Sequence, residues 1–167
     1  VSSIVYSNDA EAIILNKDNT KGVLLKGYSD NDFKNLEIVK NKEFYGNQEL
    51  KENSLSIGKE LSFNLDLDVG ASVTLMSPTG VQTIVGSLPK QQSFKVTSIF
   101  DSGLAGFNEN VAYINLNTLE SFFDKNSDQR FLEYYFKKPQ DINNHKKQLL
   151  IIHQNELVYT WADLNES

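Results

Sequence analysis

The 167-residue sequence contains no cysteine, which removes disulfides, thiolate metal sites and cysteine nucleophiles together. Arginine is nearly as scarce: Arg130 is the only one among sixteen basic residues, and the net charge is −6. Nucleic-acid binders normally carry a basic, arginine-rich stripe, so no nucleic-acid partner is expected. Long apolar runs are also missing. The longest, Ala12–Leu15 and Leu149–Ile152, fall far short of the roughly 20 residues a membrane-spanning helix needs. The chain opens on Val1 without a signal-peptide pattern, and its single methionine is Met76. A fragment whose targeting and membrane segments lie elsewhere would look like this.

What is present argues for a folded domain. Hydrophobic residues make up 40% and aromatics 11%, and the length suits one domain or two small lobes. Ile4–Tyr6 and Ala12–Leu15 read as short strands, and a polar turn over Asn16–Lys21 leads to a strand at Gly22–Tyr28. Ser29–Asn53 is polar, with short helical pieces expected. Leu55 and Ile57 alternate as in a strand that Gly58 breaks. Leu61, Leu65 and Phe63 then mark a short helix, and Val73 with Leu75 resumes strand alternation. Phe94, Val96 and Ile99 make a further strand, followed by a glycine-rich loop over Ser102–Glu109. Val111–Leu116 reads as strand, and Asn117–Asp124 as a helix capped by Asn117 or Thr118. Near the end, Phe131–Phe136 is β-prone, a helix follows Pro139, and Glu156–Trp161 reads as a last strand. These elements predict an α+β chain of two lobes. Residues 1–29 with 129–167 would form one lobe from both chain ends, and residues 30–128 an inserted second lobe.

Catalytic and metal-binding patterns do not emerge. His145 and His153 are eight apart on the expected C-terminal helix, two turns rather than one, too far to share an ion. Asp30/Asp32 and Asp66/Asp68 lack the glycine and glutamate of a calcium loop. No phosphate cradle, dinucleotide glycine triplet or nucleophile elbow occurs. Asp101 and Glu109 flank the glycine loop and are the acid–base pair of a competing hydrolase reading, but any chain of twenty-two carboxylates offers such pairs. The expectation is a non-enzyme without metal, nucleotide or other cofactor.

One connection stands out. Between Met76 and Phe94 lies a long stretch bracketed by Pro78 and Pro89, with Gly80 and Gly86 flanking the β-branched run Val81–Val85. Long connections in compact domains tend to be functional or disordered. A hairpin over residues 77–88 that presents Ile84 and Val85 to a partner is the functional reading; a hairpin packed on its own lobe is the alternative.

These segments resemble a known family. Leu55–Leu75 is similar to the "Gly-x-x-Leu-Ala-x-x-Leu-Gly-Leu-x-x-Gly-Asp-x-Val" stretch of the MacB/FtsX/LolC permease superfamily. Phe94–Phe100 with Asp101-Ser-Gly resembles the next strand and its glycine loop, Val111–Phe123 the strand and helix after it, and Tyr159–Asn165 the "Trp-x-x-x-Asn" end. Departures are Ser62 and Asp66 at helix positions that usually hold Ala or Gly, no proline within Val81–Ser87, and no strand and helix preceding Val1. The proline- and glycine-containing hairpin points to the lipoprotein-releasing (LolC/LolE) branch.

That resemblance implies a periplasmic domain, on the inner-membrane face, with a porter-like lobe from both ends and a sabre-like inserted lobe. It implies a hook formed by Ser77, Pro78, Thr83, Ile84, Val85, Gly86 and Pro89, with a polar patch of Lys90, Gln91 and Gln92 beside it. The implied partners are a LolA-type periplasmic chaperone, lipoprotein cargo, a second permease subunit and a cytoplasmic ATPase, with membrane attachment through segments outside this chain. A MacB- or FtsX-like efflux or signalling permease is the alternative within the superfamily.

Overall fold

A computed structural model of the chain describes residues 3–137 together with 144 and 146. The histidines, the expected C-terminal helix apart from Asn144 and Lys146, and the last strand lie outside the described residues.

The first strand, β1 (Ser3–Asn16), is one continuous 14-residue element where two short strands are expected. Its middle is built of Ser7, Asn8, Ala10 and Ala12, all buried but small or polar, so hydrophobicity alone does not reveal it. A two-residue loop, with Lys17 at φ 56, turns the chain into β2 (Asn19–Tyr28), in register from Asn16↔Asn19 to Asn8↔Gly27. Two short helices follow, α1 (Asp30–Lys34), capped by the Ser29 hydroxyl, and α2 (Glu37–Lys40). Next come β3 (Tyr45–Gly46), β4 (Ser54–Gly58) and α3 (Lys59–Asn64). Strands β5 (Ser72–Thr83) and β6 (Gly86–Phe100) follow, and β6, at 15 residues, is longer than β1. The expected glycine loop contains a helix, α4 (Ala105–Asn110), leading to β7 (Val111–Asn115). Helix α5 (Leu116–Phe122) is capped earlier than the expected Asn117 or Thr118, by Asn115, whose side-chain oxygen accepts from the backbone N–H groups of Asn117 and Thr118. Strand β8 (Phe131–Tyr135) ends the described elements.

The strand order is β2-β7-β4-β6-β5-β1-β8, with β3 on β6. Because β1 also bonds β2, the six strands β2, β7, β4, β6, β5 and β1 form a closed circuit. Closure removes exposed edges and encloses a core. Each of the six strands contributes to it: Ala10, Ala12 and Ile14 from β1, Val23 and Leu25 from β2, Leu55 and Ile57 from β4. Val73 and Leu75 of β5, Phe94 and Val96 of β6, and Ala112 and Ile114 of β7 complete the ring. Helix α5 packs on β2 at Gly27, where an added Cβ would press within 3.2 Å of Leu116 and Leu119.

The chain divides into a compact unit of Val5–Glu133 and a second unit of Val1–Ile4 with Tyr134–Ser167. The boundaries therefore differ from those expected at residues 29/30 and 128/129. The N-terminal hairpin belongs to the larger unit because β1 and β2 supply two staves of the closed circuit. β2 runs parallel to β7, and β1 antiparallel to β5.

Candidate functional site: the β5–β6 ribbon

The connection that reads as a long loop is a two-stranded ribbon. β5 and β6 pair from Ser72↔Lys95 to Ser77↔Lys90, slip, and pair again from Val81↔Leu88 to Thr83↔Gly86. At the slip three residues, Pro78, Thr79 and Gly80, face the single residue Pro89, which makes a wide bulge. β1 bonds β5 only up to Met76, and β4 meets β6 only from Lys95 onward. Among the described residues, no third strand bonds the ribbon beyond Ser77. Each arm carries a proline, which has no N–H to offer a foreign strand.

The turn is Ile84–Val85, and both are as open as side chains become: Ile84 is 105% and Val85 88% exposed, with Leu88 at 54%. Thr83 closes the turn, its hydroxyl donating to the Gly86 carbonyl at 2.6 Å and accepting from the Val85 N–H at 3.3 Å. Gly86 adopts φ 118, a left-handed conformation that favours glycine. In a chain that is 23% charged, the 21 residues from Val69 to Pro89 carry no charge at all. Burying this ribbon against another molecule would therefore desolvate no ion.

The polar residues at its base divide between the two faces of β6, as strand alternation requires. Half-buried Lys90 donates to the Ser121 carbonyl at 3.3 Å, and its ammonium lies 5.2 Å from the Phe122 ring centroid. Gln92 donates to Asn53 at 3.4 Å, whereas exposed Gln91 contacts the Met76 sulfur at 3.6 Å. The bulge itself escapes a reading based on apolar periodicity. Its sequence signal is Pro78-Thr79-Gly80 inside an otherwise β-prone stretch.

No family model matches the chain. Over 69 residues it is 30% identical to the lipoprotein-releasing system transmembrane protein LolC of two Xylella fastidiosa strains, Temecula1 and 9a5c. That match covers 41% of this chain and spans 17% of the curated relatives' length. The extracellular domain of the noncanonic ABC-type transporter YknZ, from Gram-positive bacteria, is similar with a TM-score of 0.57 at 15% identity, over 93% of this chain and 78% of that one. This chain shares its fold with that extracellular domain.

Within that fold the other sequence candidates are engaged locally. Asp101 accepts from the Gly103 N–H at 2.9 Å, the Asn108 amide at 2.9 Å and Lys59 at 3.5 Å. These bonds, the Gly103 N–H first, hold its carboxyl below the usual range, opposite to what a general acid needs. Glu109 instead meets Asn64 at 3.3 Å and Lys21 at 3.8 Å, so the two carboxylates serve different partners. Asp30 binds the Leu50 N–H at 2.7 Å and Lys51 at 3.0 Å. Among the described residues, no group of three or more His, Asp or Glu side chains is placed to hold a metal ion.

Asp9, on β1, shows the reverse electrostatics. Burial pushes its carboxyl above the usual range, Lys26 and Lys125 oppose that, and Glu133 adds to it, while its Oδ1 is buried without a hydrogen-bond partner. The folded state thus holds the Asp9 proton more tightly than the unfolded chain. Its ionisation lowers stability as pH rises through that raised value. Asp9→Asn is expected to melt at a higher temperature than wild type at neutral pH, with the gain gone by about pH 3, where both states are protonated. Thermal melts across that range check it.

Proposed function

We propose that this chain is the periplasmic domain of the permease subunit of a lipoprotein-releasing ABC transporter, and that its β5–β6 ribbon docks a LolA-type chaperone. The observation that carries the reading is the charge-free ribbon that exposes Ile84 and Val85 on an ABC-transporter extracellular-domain fold. The identity to LolC supports the lipoprotein-releasing assignment. Ser77, Pro78, Thr83, Gly86 and Pro89 shape the ribbon, and Lys90, Gln91 and Gln92 flank its base. The domain is proposed to be non-catalytic: ATP is hydrolysed on a cytoplasmic subunit, a second permease subunit completes the channel, and lipoprotein cargo passes to the chaperone. No helix among the described residues is long and apolar enough to cross a membrane, and the proposal places membrane attachment in segments outside this chain.

In interfaces a few buried apolar anchors tend to dominate, each costing roughly 1–2 kcal/mol or more on truncation. Replacing Ile84→Ser and Val85→Ser together should weaken chaperone binding about tenfold or more. The melting temperature should stay put, because side chains this exposed bury almost nothing in the free domain. Titration of a LolA-type chaperone against both proteins, with parallel melts, reads the result. Equal affinities would remove the docking assignment and favour an MacB- or FtsX-like permease role. A large drop in melting temperature would mean that the ribbon packs on its own unit.

A further inference from the structure

An isolated two-stranded ribbon is marginal in water, and its tip would ordinarily sample many directions. This one is constrained at its bulge from three sides. Gly80 adopts φ 60, and a Cβ there would lie 2.6 Å from the Leu88 carbonyl oxygen, 2.6 Å from the Ser87 hydroxyl and 2.9 Å from the Leu88 carbonyl carbon. The two arms therefore touch backbone to backbone at the one residue type that allows it. Ser87 straps them together, its hydroxyl donating across the ribbon to the Thr79 carbonyl at 3.3 Å. The Ser77 and Thr79 hydroxyls share a further bond at 3.1 Å, and Ser77 is only 4% exposed, so this corner is rooted in the body. Pro78 and Pro89 fix their own φ angles on either arm, and Lys90 anchors the next residue to α5.

We propose that the Pro78–Gly80 bulge is an aiming device: it sets one direction for the Val81–Leu88 tip, and Gly80, Ser87 and Thr79 are positioning residues for docking. The proposal rests on the docking reading above. A bulge bends its strand and sharpens the local twist, so it re-aims whatever lies beyond it. A tip held in its binding direction loses less conformational freedom on association, which strengthens binding without any new contact. None of the three residues lies in the Ile84–Val85 turn.

The absence of cysteine makes the direction measurable. Gln82→Cys on the tip and Glu11→Cys on β1, both exposed, accept a spin-label pair that reports one tip-to-body distance. The wild-type background should give a single narrow distribution. Gly80→Ala should displace or broaden it, and weaken LolA-type chaperone binding about tenfold or more. Ser87→Ala, which removes only the strap, should broaden it less. It keeps the test open if Gly80→Ala compromises the fold. A broad wild-type distribution, or both variants matching wild type, overturns the proposal. So does a changed distance with unchanged affinity, because aim would then not matter to docking. If instead the Ile84→Ser/Val85→Ser protein binds like wild type, the docking reading fails, and the distances still decide whether the bulge aims the ribbon.

Discussion

Gly58→Ala should destabilise the domain by about 3 kcal/mol or more, a large share of the roughly 5–15 kcal/mol that a domain this size possesses. Gly58 ends β4 where α4 crosses it. A methyl group there would overlap the Asn108 carbonyl oxygen and lie 2.5 Å from both the carbonyl carbon and Cα of Asn108. The obstacle is backbone, and it is pinned. Asn108 is 1% exposed; its amide donates to Asp101 at 2.9 Å, and its side-chain oxygen accepts from the Ser102 N–H at 2.9 Å and hydroxyl at 2.6 Å. Relief would require α4 to lift, breaking that cluster and disturbing β7, which follows directly. Gly22→Ala supplies the control, since nothing lies within 4 Å of its added Cβ and its φ is ordinary. It should be neutral or slightly stabilising. Urea unfolding of the two variants beside wild type tests the contrast; a Gly58→Ala protein as stable as Gly22→Ala would contradict the close approach.

Arg130→Ala should cost about 2–4 kcal/mol, unusual for a residue so near the surface. The only arginine in the chain forms a two-pronged pair with Glu120, Nε to Oε2 at 2.8 Å and Nη2 to Oε1 at 2.6 Å. The side chains are 29% and 11% exposed, so truncating the arginine leaves a largely buried carboxylate held by Asn8 alone, at 3.1 Å. Arg130→Lys should recover only part of the loss, because an ammonium cannot satisfy both oxygens in one plane. Glu120→Leu with Arg130→Met should recover most of it, since the stranded charge is then gone. The pair also has a pH signature. The Arg130 bonds, helped by Asn8, hold the Glu120 carboxyl below its usual range. Its contribution is thus complete above the ordinary carboxyl pKa and lost as pH falls through the depressed one, opposite in sign to Asp9. Acid titration of wild type and Arg130→Ala should converge at low pH. Curves that stay parallel would mean the salt bridge contributes little.

How much of this was legible depended on whether a feature is local. The alternation of Leu55 and Ile57, the break at Gly58, and the return of alternation at Val73 and Leu75 announce β4, α3 and β5, because the core face takes large apolar residues while the opposite face, equally buried in β4, takes serine. Phe63, one of the apolar residues that mark α3, is 86% exposed; the helix has only six residues and buries Leu61. β1 was hidden because its buried middle is Ser, Asn and Ala. α4 was hidden because Gly106, Asn108 and Asn110 within Ala105–Asn110 mimic a loop, and the clearest reason for its placement, Asn108 against Gly58, is 50 residues away from its partner. The ribbon was visible as a Pro- and Gly-bracketed anomaly with Ile84 and Val85 at its tip. The bulge was not, since it depends on which residues of two arms face each other. The closed circuit was least visible of all, since strand partners far apart leave no periodic trace.

The same circuit constrains the order in which the molecule can assemble. The β1–β2 and β5–β6 hairpins join neighbouring segments and need only short loops to close. The β2–β7 pair instead unites Leu24 with Val111 and is parallel, so almost ninety intervening residues must be gathered before its first bond forms. A chain emerging N-terminus first therefore carries β2 with one edge bare until β7 has been made. During that interval Leu24 and Leu25 sit on a strand still open to other chains, which makes the late arrival of β7 the step at which nascent copies are most exposed to mispairing.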